Sequence, residues 1–288
     1  MTRRVKGTQD LLNMQAYDAF ITAAHTHFTN ANFSHIQTPI LEYADLFHHS
    51  IGQHTDIVSK EMYTFSVNDK ETLCLRPEAT ASTMRAYTDN AIIEKPWKVF
   101  THGPMFRHER PQKGRWRQFS QFNLECIGLT SIAQDAQFLS TLENFFTNVL
   151  KLHDFVLSIN FLGTPDDRAA HRTALLSFVQ TKRIDLCSTC QERIENNLLR
   201  IFDCKNPDCI ALYKEAPHIT DYLSEGSATE WQLLNHYLDI LSISRVHNPY
   251  LVRGLDYYHK TVFEFSSPLL GAQNAFCGGG QYDLSKQL

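Results

Sequence analysis

Five cations crowd into the segment Phe106-Arg-His-Glu-Arg-Pro-Gln-Lys-Gly-Arg-Trp-Arg117. Arg107, Arg110, Lys113, Arg115 and Arg117 stand against the single acid Glu109, a local charge of +4 in a chain whose formal net charge is −4. Guanidinium groups gathered on a loop grip phosphate oxygens two at a time. An ordinary solvated charged loop would have the same composition, but this one lies between two apolar strand candidates, so Arg107 and Arg117 fall at strand ends. The second strand carries Gln118, Gln121 and Glu125, odd residues for a buried strand. Gln121 and Glu125 share a parity and therefore a face. An amide and a carboxylate on one sheet face, next to arginines, read as a small polar pocket.

Other segments are weaker alone. In Leu75-Arg-Pro-Glu-Ala-Thr-Ala81, Glu78 and Thr80 fall in the first turn of a helix expected from Pro77, where the helix dipole alone accounts for an acid. Leu251-Val-Arg-Gly-Leu-Asp-Tyr-Tyr258 breaks a strand pattern with Arg253 and Gly254, then presents Asp256, Tyr257 and Tyr258. Cys277-Gly-Gly-Gly-Gln-Tyr-Asp283 lets backbone approach another group closely, yet lacks the lysine of a phosphate-cradling loop. Cys187, Cys190, Cys204 and Cys209 are spaced as C-x2-C-x13-C-x4-C, close to a structural zinc pattern. Cys187 and Cys190 also open an amphipathic helix, where small buried thiols are ordinary. They are read here as structural thiols, and no metal ligand is assigned. The fourteen histidines include no His-Glu-x-x-His, and His25, His27, His48 and His49 have no acid or cysteine partner at ligand spacing.

The elements that must hold these residues follow from periodicity. Residues 9–33 form an amphipathic helix, with Tyr17, Phe20, Ile21, Ala24 and Phe28 on one face. Strands are expected at 36–41, 60–67, 72–75, 97–107, 117–127 and 155–161, with a turn at Asn68-Asp69-Lys70 and a helix over 133–150. Residues 165–245 lose the strand pattern and read as short helices. Strands resume at 250–252, 261–266 and 274–277. The expected fold is α+β: an antiparallel sheet flanked by helices, with a helical insertion. Its parts are a first core segment 1–163, the insertion 164–247 and a second core segment 248–288. Strict strand–helix alternation of a dinucleotide-binding sheet is absent.

Length and composition agree. With 288 residues, 43% hydrophobic and 20% charged, the chain can bury a core without disulfides. A net charge of −4 excludes a uniformly basic nucleic-acid glove. No secretory leader and no apolar run of membrane-spanning length occur, and seven cysteines is an odd number. The expected compartment is the reducing cytoplasm, with no membrane association.

Together the segments resemble the histidyl-tRNA synthetase family of class II aminoacyl-tRNA synthetases. Gly7-Thr-Gln-Asp10 is similar to its N-terminal signature. Thr38-Pro-Ile-Leu-Glu42 through Glu61-Met-Tyr-Thr-Phe65 resembles the first class II motif, a dimer element. Leu75-Arg-Pro-Glu78 and the run from Gly103 to Arg115, with Arg117-Gln-Phe119 and Gln121, resemble the second. Leu251 to Tyr258 is similar to a block peculiar to histidine enzymes. The resemblance implies activation of L-histidine by ATP with Mg²⁺, transfer to tRNA(His), and a homodimer serving protein biosynthesis. It implies that Arg107 and Arg253 are catalytic and, with Glu109, contact ATP. It implies that Glu78, Thr80 and Gln121 meet the α-amino end of histidine, that Glu125 accepts from the imidazole, and that Tyr257 and Tyr258 close that side. Ala79, Ser120 and Gln281 depart from the family pattern. The third class II motif and the anticodon-binding domain have no counterpart here, so an incomplete catalytic domain is expected. The rival expectation is a synthetase-like regulatory protein that senses histidine; retention of Arg107, Glu125 and the Arg253–Tyr258 block favours the enzyme.

Overall fold

A computed structural model describes residues 3–52, 55–68, 71–255, 257–271 and 273–284. Asp69 and Lys70 of the expected turn, Asp256, and residues 285–288 lie outside the described residues. The chain divides into two compact units, Met1–His153 with Leu270–Gln273 and Leu284–Leu288, and Asp154–Leu269 with Asn274–Asp283.

The first unit begins with α1 (Gln15–Asn30), shorter than the expected helix, then β1 (Ser34–His35), β2 (Leu41–Tyr43) and α2 (Ala44–Ile51). Pro39 falls between β1 and β2 and splits the single strand expected over 36–41. β3 (Tyr63–Asn68), β4 (Glu71–Leu75), α3 (Thr80–Asp89), β5 (Trp97–Phe106), β6 (Gln118–Ile127) and α4 (Ile132–Asn144) follow. Two sheets result, ordered β1-β5-β6 and β2-β4-β3, antiparallel except for the β1–β5 pair. The β5–β6 hairpin is regular from Trp97↔Ile127 to Phe106↔Gln118. Its even-numbered side chains Phe100 and Phe122 stack at 5.3 Å and meet Phe28 of α1, which is buried. Aromatic burial on that face fixes the register, because a one-residue slip would turn it toward the polar set.

The second unit holds β7 (Val156–Phe161), the helices α5 (Pro165–Thr181), α6 (Ser188–Asn196), α7 (Pro207–Tyr213) and α8 (Glu225–Ile240), then β8 (Val246–His247), β9 (Tyr258–Ser266) and β10 (Ala275–Tyr282). The sheet order is β10-β9-β7-β8, with β8 alone parallel to its neighbour. Residues 250–252 are not the expected strand. The fully buried Asn160 amide instead donates to the Pro249 and Leu251 carbonyls, holding that stretch as irregular chain. The glycine triplet lies inside β10, a strand longer than expected, with register irregularities on both sides of it. Asp167 is 4% exposed and caps α5, accepting from the Thr164 N–H and hydroxyl, while its carboxylate also takes the Ser224 N–H and the Ser227 hydroxyl at the start of α8. Among the described residues no helix is long and apolar enough to cross a membrane.

Candidate active site

The odd-numbered face of the β5–β6 hairpin carries the polar set. Thr101, Gly103, Gln121, Asn123 and Glu125 occupy it through the pairs Thr101↔Asn123 and Gly103↔Gln121. Glu125 is 5% exposed, and its Oε1 accepts from the Thr80 hydroxyl and the Asn123 amide, both at 2.7 Å. Gln121 Oε1 is buried with no hydrogen-bond partner. An orphaned amide oxygen costs about 1–3 kcal/mol, so it marks a place for a donor. Asn123 was missed from sequence, although its parity with Gln121 and Glu125 places it there.

α3 begins at Thr80, three residues later than expected, so Glu78 precedes the helix instead of sitting in its first turn. The buried Glu78 carboxylate accepts from the Thr80 N–H at 2.6 Å and the Ala81 N–H at 2.8 Å. Burial pushes its pKa up, against the N–H donors and the Arg107 charge. Glu78 therefore fastens the helix that brings Thr80 to Glu125.

Arg76 is the buried bolt behind this face. It is 1% exposed and donates to Thr38 and Pro104 carbonyls. Gly103 admits it: at φ +147, a Cβ there would lie 2.8 Å from Arg76 Nη2. Only glycine suits both the backbone and the cation.

Arg107 stands at the open end of the hairpin, its N–H on the Arg117 carbonyl. Its Nε donates to Pro77 O at 2.9 Å and its guanidinium lies 5.2 Å from the Phe119 ring centroid. Glu109 is 3.9 Å from Arg107 and 3.2 Å from Arg115, and its carbonyl accepts from Arg117. The acid thus arranges the surrounding arginines. Gly7, at φ +86, accepts the Arg117 N–H and leaves room for that side chain, which explains the N-terminal signature physically.

In the second unit Arg253 pairs with Glu264 at 2.7 Å. Glu264 faces Gly278 across β9 and β10, and a Cβ on Gly278 would meet the Arg253 guanidinium at 2.5 Å. The first glycine of the triplet is thus a berth for arginine. Glu264 went unassigned from sequence; an acid inside Thr261-Val-Phe-Glu-Phe265 is the signal. Tyr257 is buried, its ring 4.6 Å from Tyr258 and 5.4 Å from Tyr282. Arg168 and Arg200 join Arg253 around a cavity also lined by Asn197 and Tyr258.

The structure thus brings Glu78, Thr80, Gln121 and Glu125 together in the first unit, with Arg107 and Glu109 at the hairpin mouth, and Arg253, Tyr257 and Tyr258 in the second. Clustered cations of the kind that bind phosphate and a buried polar face of the kind that holds a small ligand are what adenylyl transfer needs, since positioning and charge do most of its work.

Comparison with known proteins follows the same line. The chain is 44% identical over 287 residues to a protein named histidine–tRNA ligase from Desulfatibacillum aliphaticivorans, covering 98% of this chain and 68% of that one. The apo histidyl-tRNA synthetase of S. aureus matches with a TM-score of 0.76 and 32% identity, over 98% of this chain and 67% of that structure. A structure from Bacillus halodurans described as an ATP phosphoribosyltransferase regulatory subunit/histidyl-tRNA synthetase has a TM-score of 0.68 over 99% of this chain and 77% of its own, and at 20% identity shares the fold. The sequence profile of the histidyl-tRNA synthetase family matches residues 7–288, and the chain belongs to that family.

Proposed function

We propose that the chain is a histidine–tRNA ligase. A carboxylate oxygen of L-histidine attacks the α-phosphorus of ATP, pyrophosphate leaves, and histidyl-adenylate forms. The terminal ribose hydroxyl of tRNA(His) then attacks the acyl carbon and AMP leaves. Mg²⁺ enters with ATP as part of that substrate. The observation that carries the reading is the buried polar face of β5–β6, where Gln121 Oε1 awaits a donor beside the Glu125–Thr80–Asn123 network. The α-ammonium of histidine is such a donor for Gln121, with Glu78 and Thr80 on the same side. Glu125, held by hydrogen bonds from Thr80 and Asn123, accepts the imidazole N–H, and the family resemblance gives Tyr257 and Tyr258 of the second unit a role toward histidine. Arg107, braced by Pro77 and Phe119 and flanked by Glu109, holds the α-phosphate, and the family resemblance gives Arg253 of the second unit a role toward ATP.

The retained phosphate-handling arginines and the names of relatives at 42–44% identity favour this over a regulatory histidine sensor. A cytoplasmic location and a homodimer belong to the same reading, the second supported by the first-motif resemblance. Histidine-dependent ATP–pyrophosphate exchange tests the proposal: label must pass into ATP only when histidine is present. Histidine binding without exchange would give the sensor reading its support.

A further inference from the structure

We propose that Cys187, Cys190, Cys204 and Cys209 form a four-thiolate site for one structural zinc ion. Their sulfur atoms all lie within 4.8 Å of one another. That is far closer than incidental core thiols need be, since the eleven buried residues of this cluster include Leu175, Val179, Ile194 and Ile201, which pack without chemistry. Cys187 and Cys204 are 3.8 Å apart at sulfur. A disulfide would need about 2.0 Å. A tetrahedron with Zn–S bonds of about 2.3 Å has edges of about 3.8 Å.

The local chain is built as two knuckles. Cys187 precedes α6 and Cys190 lies in its first turn. Cys204 closes a 3-10 segment, Leu198–Asp203, and Cys209 is the third residue of α7, whose cap Asn206 accepts from the Asp208 and Cys209 N–H groups. Backbone N–H groups already face sulfur: Cys187 N–H points at Cys209 Sγ at 3.3 Å and Asn206 N–H at Cys204 Sγ at 3.4 Å. The Tyr213 hydroxyl is buried beside Cys190 without a conventional partner. N–H and O–H donors to sulfur are what metal-bound thiolates need, because they offset the negative charge of the centre. Four sulfurs leave no open position, so the site is structural. It also has work to do. The segments it joins are nine, six and seven residues long, too short to persist as isolated helices.

The test is metal analysis of the intact chain purified without chelator or added metal. We expect one zinc per chain, released when an organomercurial titrates the thiols. The double variant Cys187→Ser/Cys209→Ser should lose the zinc, while Cys126→Ser, in the first unit, should keep it. If the double variant does not fold, cobalt substitution of the unaltered chain decides: an intense thiolate-to-cobalt charge-transfer band and tetrahedral d–d absorption support the site. Seven free thiols in denatured protein with no bound metal would overturn the proposal. So would disulfides among the four, iron in place of zinc, or cobalt spectra without thiolate character.

Discussion

At the residue scale, the proposed chemistry depends on which groups hold each charge in place. Glu125 accepts from two neutral donors, Thr80 and Asn123, which fix the direction of its carboxylate on the polar face. Glu125→Gln keeps the shape and removes the charge. Loss of one charge-assisted hydrogen bond is worth about 1.5–3 kcal/mol, so the KM for histidine should rise about tenfold or more while that for ATP stays within about twofold. A larger effect on ATP would move Glu125 out of the histidine pocket. Arg253 makes the opposite case. Its charge is shared with Glu264, and Gly278 gives it room to lie against β10. If it acts on charge in the transition state, Arg253→Ala should lower the exchange rate by about 10²–10³ and leave histidine affinity, measured by calorimetry, nearly unchanged. Full exchange activity in that variant would remove Arg253 from the reaction. Parity and local charge made Gln121, Glu125 and Arg107 readable from residue types. Arg76 was not, because its partners Thr38 and Pro104 are distant in the chain, and Glu264 was passed over although an acid within an apolar strand was its signal.

At the element scale, strands and helices with strong periodicity were legible and their ends were not. β5 and β6 fall within a residue of expectation because aromatic residues on one face and polar ones on the other leave a single register. The stretch 250–252 misled: it is apolar like a strand, but a distant side chain, Asn160, satisfies its carbonyls. The start of α3 moved for a similar reason, since Glu78 caps the helix from outside it. Asp167 shows how much one such residue can hold. It serves the ends of both α5 and α8; burial works against its charge, but its hydrogen bonds outweigh that and keep its carboxyl ionised well below the usual carboxylate range. A depressed folded pKa adds stability above the unfolded value of about 3.9 and loses it as pH falls through the folded one. Asp167→Asn should therefore cost about 2–3 kcal/mol at neutral pH, seen as a lower urea midpoint, and the deficit should narrow below about pH 4. A deficit independent of pH would mean that packing, not charge, holds the two helix ends.

At the scale of the whole molecule, charge is distributed unevenly. The chain is acidic overall, yet the Arg107–Arg117 loop carries +4, so attraction for phosphate is local and long-range attraction for a polyanion is weak. Both units also contain histidines whose pKa burial pushes below the ordinary value. In the first these are His35 and His102, lowered by desolvation and further by their histidine neighbours; with His25 they gather edge to face and stacked over Phe100 and Phe122, with ring centroids 4.5–6.0 Å apart. No spacing rule foresaw that cluster, because α1, β1 and β5 each supply one ring. In the second, His171, His247 and His259 are lowered chiefly by desolvation. The sign follows from linkage. A histidine with a lowered folded pKa binds its proton more readily when unfolded, so stability falls as pH drops from about 7 through the unfolded value near 6.5. Glu61 and Glu78, raised by burial, act the other way at lower pH, so the total slope mixes both. Variants separate them. His102→Gln in the first unit and His171→Gln in the second should each lose stability at pH 7.5, yet close part of that gap to the unaltered chain at pH 5.5, measured by urea unfolding. Each would do so independently, because the two rings lie in different units. A gap that stays constant between the two pH values would show that the two rings do not resist protonation.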